Sequence, residues 1–137
     1  MSDVSLQSES TERPGGPRII GYVNLHVRDF ARSVAFFRDV IGFPLMFADE
    51  GFHFARFGAG GVTFAVANDP NAPVHDGPVE DHLSGIGICV RDVDAAFQDL
   101  KSKGVRFTME PSKMPWGGYM AMFADPDGNI FYLDGLS

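Results

Sequence analysis

Apolar and polar positions alternate along residues 18–28, with Val23, Leu25 and Val27 in one phase and Tyr22, Asn24 and His26 in the other. That period of two predicts a β-strand covered on one face. Asp29 follows as a helix N-cap. Phe30, Val34, Phe37 and Ile41 then recur at helical spacing until Gly42 stops the run. Three strand-length runs begin at Phe43, Gly51 and Gly61, with glycine-rich or acidic turns between them. Residues 69–82 are rich in Pro and Asp and have no period. The order then restarts: a strand over residues 85–91, Asp92 as cap, a helical stripe of Val93, Phe97 and Leu100, and a stop at Gly104. Strands are predicted from Val105, Tyr119 and Ile130, with a loop over residues 111–118.

Asp29 and Asp92 lie 63 residues apart, and at that offset Phe30 matches Val93, Val34 matches Phe97 and Phe37 matches Leu100. The chain therefore reads as an α+β tandem repeat of βαβββ units over residues 18–68 and 83–137. A linker over residues 69–82 joins them, and a polar tail over residues 1–17, expected to be disordered, precedes them. In the strands, Val62, Phe64, Val66, Ile86, Ile88, Val90, Phe131 and Leu133 share the phase that packs under the helices. Tyr22, Asn24, His26, Thr63, Ala65, Gly87, Cys89 and Tyr132 take the other phase. This mixture of polar, aromatic and small residues suits a pocket wall better than a solvent face. On the strand from Tyr119, phase alone does not say whether Met120 and Met122 or their neighbours reach that wall.

Lys and Arg number 11 against 18 Asp and Glu, a net charge of −7. No basic face for a nucleic-acid backbone is expected. No run approaches the length of a membrane span, and the first residues lack the apolar core of a leader, so the expected location is cytoplasmic. Cys89 is the only cysteine, which excludes a disulfide or a thiolate cluster within the chain.

The segments VRDFARSVAFFRDVIGF from Val27 and FADPDGNIFYL from Phe123 resemble the vicinal oxygen chelate superfamily, which includes glyoxalase I, extradiol dioxygenases and bleomycin-resistance proteins. The resemblance covers residues 18–137. It implies a curved mixed sheet with helices on its outer face. It also implies a homodimer, often with units exchanged, whose pockets lie between units of two protomers. Metal-dependent members carry one ligand on the first and last strand of each unit. The corresponding positions here hold Tyr22, Ala65, Gly85 and Tyr132. None of these suits a divalent ion, so no metal or other cofactor is expected.

The expected function is metal-free binding of a hydrophobic or aromatic small molecule, of the bleomycin-resistance type. Its contacts would be Tyr22, Asn24, His26, Thr63, Ala65, Cys89, Trp116 and Tyr132. Trp116, in a loop flanked by Pro and Gly, reads either as a lid over the core edge or as a stacking plate. Cys89 reads as a small wall residue. His26 reads as a hydrogen-bonding wall residue, or as the acid/base of the alternative, a glyoxalase-like lyase, isomerase or dioxygenase. A third possibility is a regulatory partner with a vestigial pocket. His75 and His82, in or beside the linker, are expected to be solvated.

Overall fold

The computed structural model describes residues 13–136. Most of the expected tail lies outside them; residues 13–16 form a turn closed by Gly16 N–H donating to the Arg13 carbonyl at 2.8 Å. Strand β1 (Val23–Val27) leads into helix α1 (Phe30–Ala35), which continues as a wider π-type turn, Phe36–Ile41. Strands β2 (Leu45–Asp49), β3 (Phe54–Ala59) and β4 (Val62–Asn68) complete the first unit. A single 3-10 turn, Val79–Asp81, interrupts the linker. The second unit comprises β5 (Leu83–Val90), α2 (Val93–Ser102), β6 (Arg106–Lys113), β7 (Tyr119–Ala124) and β8 (Ile130–Gly135). No helix among the described residues is long and apolar enough to cross a membrane.

Both units are built alike because their local signals are alike. The Asp29 carboxylate accepts from Arg32 N–H at 3.2 Å and the Asp92 carboxylate from Ala95 N–H at 3.0 Å, each capping its helix. Gly42 ends the first helical stretch at φ +94, a conformation that costs glycine nothing. Each unit forms its own four-stranded mixed sheet, in the orders β1-β4-β3-β2 and β5-β8-β7-β6, with β1–β4 and β5–β8 parallel and the remaining pairs antiparallel. These are tandem βαβββ units of an α+β fold.

Strand boundaries move, and one side chain departs from its expected burial. The first strand starts at Val23 rather than near residue 18, since β4 offers partners only from Phe64 to Asn68. Val62, expected on the packed face, sits at the start of β4 and is exposed. Strand β6 extends through Pro111 to Lys113, which shortens the expected loop. Irregular pairing with β7 accommodates the proline without a ladder N–H.

The helix-bearing faces of the two sheets share one core. Phe37 of the first unit packs on Phe64 of its own β4 and on Phe131 of β8, with ring centroids 4.8 and 5.6 Å apart. Phe36 meets Phe123 of β7 at 6.5 Å. Phe37, Phe57, Phe123, Phe131 and Leu133 are fully buried, and removing such an aromatic costs about 3–5 kcal/mol. With both apolar faces turned toward this core, the helix-free faces of the two sheets point away from one another.

Candidate functional site

The helix-free face of the second sheet forms a groove. Pairing register places Gly87, Tyr132, Met122 and Met109 side by side across four strands, and Asp134 beside Met120. The other phase of β7 is excluded from the groove: Ala121 and Phe123 are buried in the core. At the rim, residues 114–118 make a tight loop in which Met114 N–H donates to the Gly118 carbonyl at 2.7 Å and Gly117 adopts φ +96. This loop holds Met114 and Trp116 over the groove, and Val79, Glu80 and Leu83 of the linker and β5 bound it. The resulting hollow measures about 610 Å³ and is mostly apolar. Trp116 remains 73% exposed, so its indole face is available. Four of the chain's six methionines line this one groove. Thioether side chains adapt their shape and make favourable contacts with aromatic rings.

The helix-free face of the first sheet carries an equivalent row: Asn24, Ala65, Arg56 and Phe47. Ala65 is fully buried between its neighbours. The Arg56 guanidinium lies 5.0 Å from the Phe47 ring centroid, a cation–π contact. Asn24 and His26 are exposed, Thr63 is half-buried, and Tyr22 precedes β1 with its ring largely exposed. The eight expected contact residues are thus held as separate sets. Trp116 and Tyr132 share the groove of the second sheet. Tyr22, Asn24, His26, Thr63 and Ala65 lie on or beside the opposite side of the chain. Cys89 pairs with Asp134 in register and borders an adjoining cleft of about 870 Å³, which shares Asp134 with the groove and also takes in Arg91, Asp94 and Tyr119. There the Tyr119 hydroxyl donates to Asp94 at 2.5 Å. That hydrogen bond, then partial desolvation and the nearby Asp94 and Asp92 charges, push the phenol above its ordinary pKa. No histidine borders this cleft, so Cys89 has no imidazole base beside it.

The donor set does not fit a divalent metal. The parallel registers set Asn24 beside Ala65 and Gly87 beside Tyr132. Neither these four residues nor the Tyr22 and Gly85 counted from the helix caps supplies an imidazole or a carboxylate. Among the described residues no group of three or more His, Cys, Asp or Glu is arranged to hold an ion.

The linker histidines differ from expectation. His82 is 8% exposed and stacks on His75 with ring centroids 4.8 Å apart and planes 9° from parallel. Its Nδ1 lies 2.6 Å from the Gly128 carbonyl and its Nε2 3.1 Å from that of Gly77. The polar composition of residues 69–82 suggested solvent, yet the segment folds onto the Asp125–Asn129 turn, where His75 N–H donates to the Asp127 carbonyl at 2.7 Å. Sequence reasoning also left Met109, Glu80 and Leu83 out of the site. Their places depend on the β6–β7 register and on the linker's path, which strand phase does not reveal.

The family model of the Glyoxalase/Bleomycin resistance protein/Dioxygenase superfamily matches residues 19–133. A bleomycin resistance protein from Klebsiella pneumoniae is 30% identical over 119 residues, covering 80% of this chain and 86% of that protein. Among solved structures, a member of the same superfamily from Sphaerobacter thermophilus superposes with a TM-score of 0.73 at 26% identity, covering 88% of this chain and 98% of the other. TnmS3, an antibiotic binding protein from Streptomyces sp. CB03234, superposes with a TM-score of 0.68 at 28% identity and covers 88% and 98%.

Proposed function

We propose that this chain, which belongs to the Glyoxalase/Bleomycin resistance protein/Dioxygenase superfamily, binds and sequesters a planar hydrophobic or aromatic small molecule without transforming it. The observation that carries this reading is the groove of the second sheet, with its methionine floor and the Trp116 and Tyr132 rings. Aromatic faces stack on a flat ligand, and thioethers adapt to its outline. A hollow of about 610 Å³ accommodates a drug-sized molecule. The likeness to a bleomycin resistance protein and to an antibiotic binding protein supports the same reading.

The groove is open on one side, and a second copy of the chain is the natural cover. The helix-free face of the first sheet offers exposed Tyr22, Asn24, His26 and Phe47, with Ile19 and Ile20 exposed just upstream. In a symmetric homodimer this face of one protomer would close the groove of the other. Asn24 and His26 would then orient the ligand from across the interface, and Thr63 and Ala65 would form the wall beside them. A cytoplasmic location fits a protein that intercepts a small molecule inside the cell.

Trp116 is the only tryptophan, so its fluorescence reports the groove directly. Titration with a panel of aromatic antibiotics should give saturable quenching with at least one of them, and the bound compound should be recovered chemically unchanged. Failure of every compound to alter Trp116 emission or to release heat on mixing would sink the binding reading. Conversion of a bound compound to product, abolished by His26→Ala, would favour a glyoxalase-like enzyme instead.

A further inference from the structure

The groove's own charges select among flat molecules. It is bordered by two side chains that are charged at neutral pH, Glu80 and Asp134, both carboxylates, and by no Lys, Arg or His. Neither belongs to any ion pair found among the described residues; those pairs are Arg32–Asp127, Arg38–Asp39, Lys101–Glu110 and Lys103–Asp99. Asp134 lies two residues beyond Tyr132 on the same face of β8, about 7 Å along the strand. It is partly buried, so water screens it less than an open surface charge. Glu80 sits on the 3-10 turn at the margin of the groove. The faces of Trp116 and Tyr132 carry the negative end of a ring quadrupole, and methionine sulfur is polarisable, so the uncharged part of the lining also favours a cation over an anion. On the outer face of the first sheet, which a second copy would bring across the groove, Arg56 is already held against the Phe47 ring.

From this combination we infer that the ligand is a planar aromatic cation, a fused-ring system bearing a protonated amine or a ring nitrogen charged at neutral pH. The ring system would stack between Trp116 and Tyr132 over the methionines, with its positive end toward Asp134 and Glu80. This identification rests on the groove being the ligand site, and the test separates the two claims.

Three tricyclic probes of similar outline are compared by calorimetry and Trp116 quenching: proflavine, a cation at neutral pH; acridone, neutral; and anthraquinone-2-sulfonate, an anion. Proflavine should bind on the order of tenfold more tightly than acridone, and the sulfonate most weakly, given the strength of a partly screened charge pair. Added salt should shrink proflavine's advantage. The Glu80→Gln/Asp134→Asn double variant should bring the proflavine-to-acridone ratio close to one, with its melting transition showing that it is folded. Equal binding of proflavine and acridone, or tightest binding by the sulfonate, would overturn the charge assignment while leaving the groove a ligand site. Absence of binding by all three, together with silence toward the antibiotic panel, would remove the site and this inference with it.

Discussion

The fully buried carboxylate of Asp127 accepts a hydrogen bond from the backbone N–H of Arg28, 2.8 Å away and 99 residues earlier in the chain. This contact joins the second unit's last turn to the end of the first unit's first strand. Arg32 reinforces it with an ion pair at 3.2 Å, though its own side chain is half exposed. The Arg28 guanidinium reaches the Ala72 carbonyl of the linker. The two units are therefore clasped by polar bonds as well as by the phenylalanine core.

Replacing Asp127 by Ala should destabilise the chain by about 2–4 kcal/mol, because the Arg28 backbone N–H and the Arg32 guanidinium both lose their buried carboxylate partner. Arg32→Ala should cost no more than about 1 kcal/mol, since its pair is exposed to water on one side. Urea unfolding of the two variants measures both. Equal losses would mean that the ion pair, and not the backbone contact, carries the clasp.

Ser33 is a buried hydroxyl on α1 with no hydrogen-bond partner among the described residues. An unsatisfied buried hydroxyl costs about 1–3 kcal/mol, and alanine is also the better helix former. Ser33→Ala should therefore raise stability by about 1 kcal/mol and shift the thermal midpoint upward. A lower midpoint would show that the hydroxyl finds a partner after all.

Gly118 positions the groove's tryptophan. A Cβ at this residue would stand 2.8 Å from Trp116 Nε1, so the indole must swing away from any larger side chain. Gly118→Ala should change the Trp116 emission and weaken binding of an aromatic ligand several-fold. Stability should move by no more than about 0.5 kcal/mol, as expected for a surface change. Unchanged emission and affinity would show that the indole's place over the groove does not depend on this glycine.

Tyr119 should ionise above the ordinary tyrosine range, because its proton is held by Asp94. The folded chain binds that proton more tightly than the unfolded chain. The contribution to stability is therefore complete below the ordinary tyrosine pKa and is lost as pH rises through the raised value. An ultraviolet titration of the three tyrosines should show one late transition, absent in Tyr119→Phe and moved to lower pH in Asp94→Asn. Coincident titration of wild type and Asp94→Asn would contradict the hydrogen bond.

Local pattern carried most of the fold. The capping roles of Asp29 and Asp92, the helical stripes after them and the stop at Gly42 are short-range effects of side-chain chemistry and backbone sterics, and the structure places them as expected except that the first stripe passes into a π-type turn from Phe36. The period of two also assigned the helix side of β1, β5 and β8 correctly, because alternate side chains of a strand cannot share a face. Tertiary structure decided everything that depends on distant partners. The phase of Met120 and Met122 became legible only once Phe123 was seen packed against Phe36 and Phe131. The path of the linker was fixed by His75, His82 and Asp127. Gly128 lies where a Cβ would come within 2.3 Å of the His75 carbonyl, a demand that no reading of residues 69–82 contains. Above all, the direction in which each helix-free sheet face points follows from how two apolar faces bury one another. Hydrophobic burial has no sequence direction of its own, so the chain encoded two sticky faces, and only their meeting turned Tyr22, Asn24 and His26 to one side and Trp116 and Tyr132 to the other.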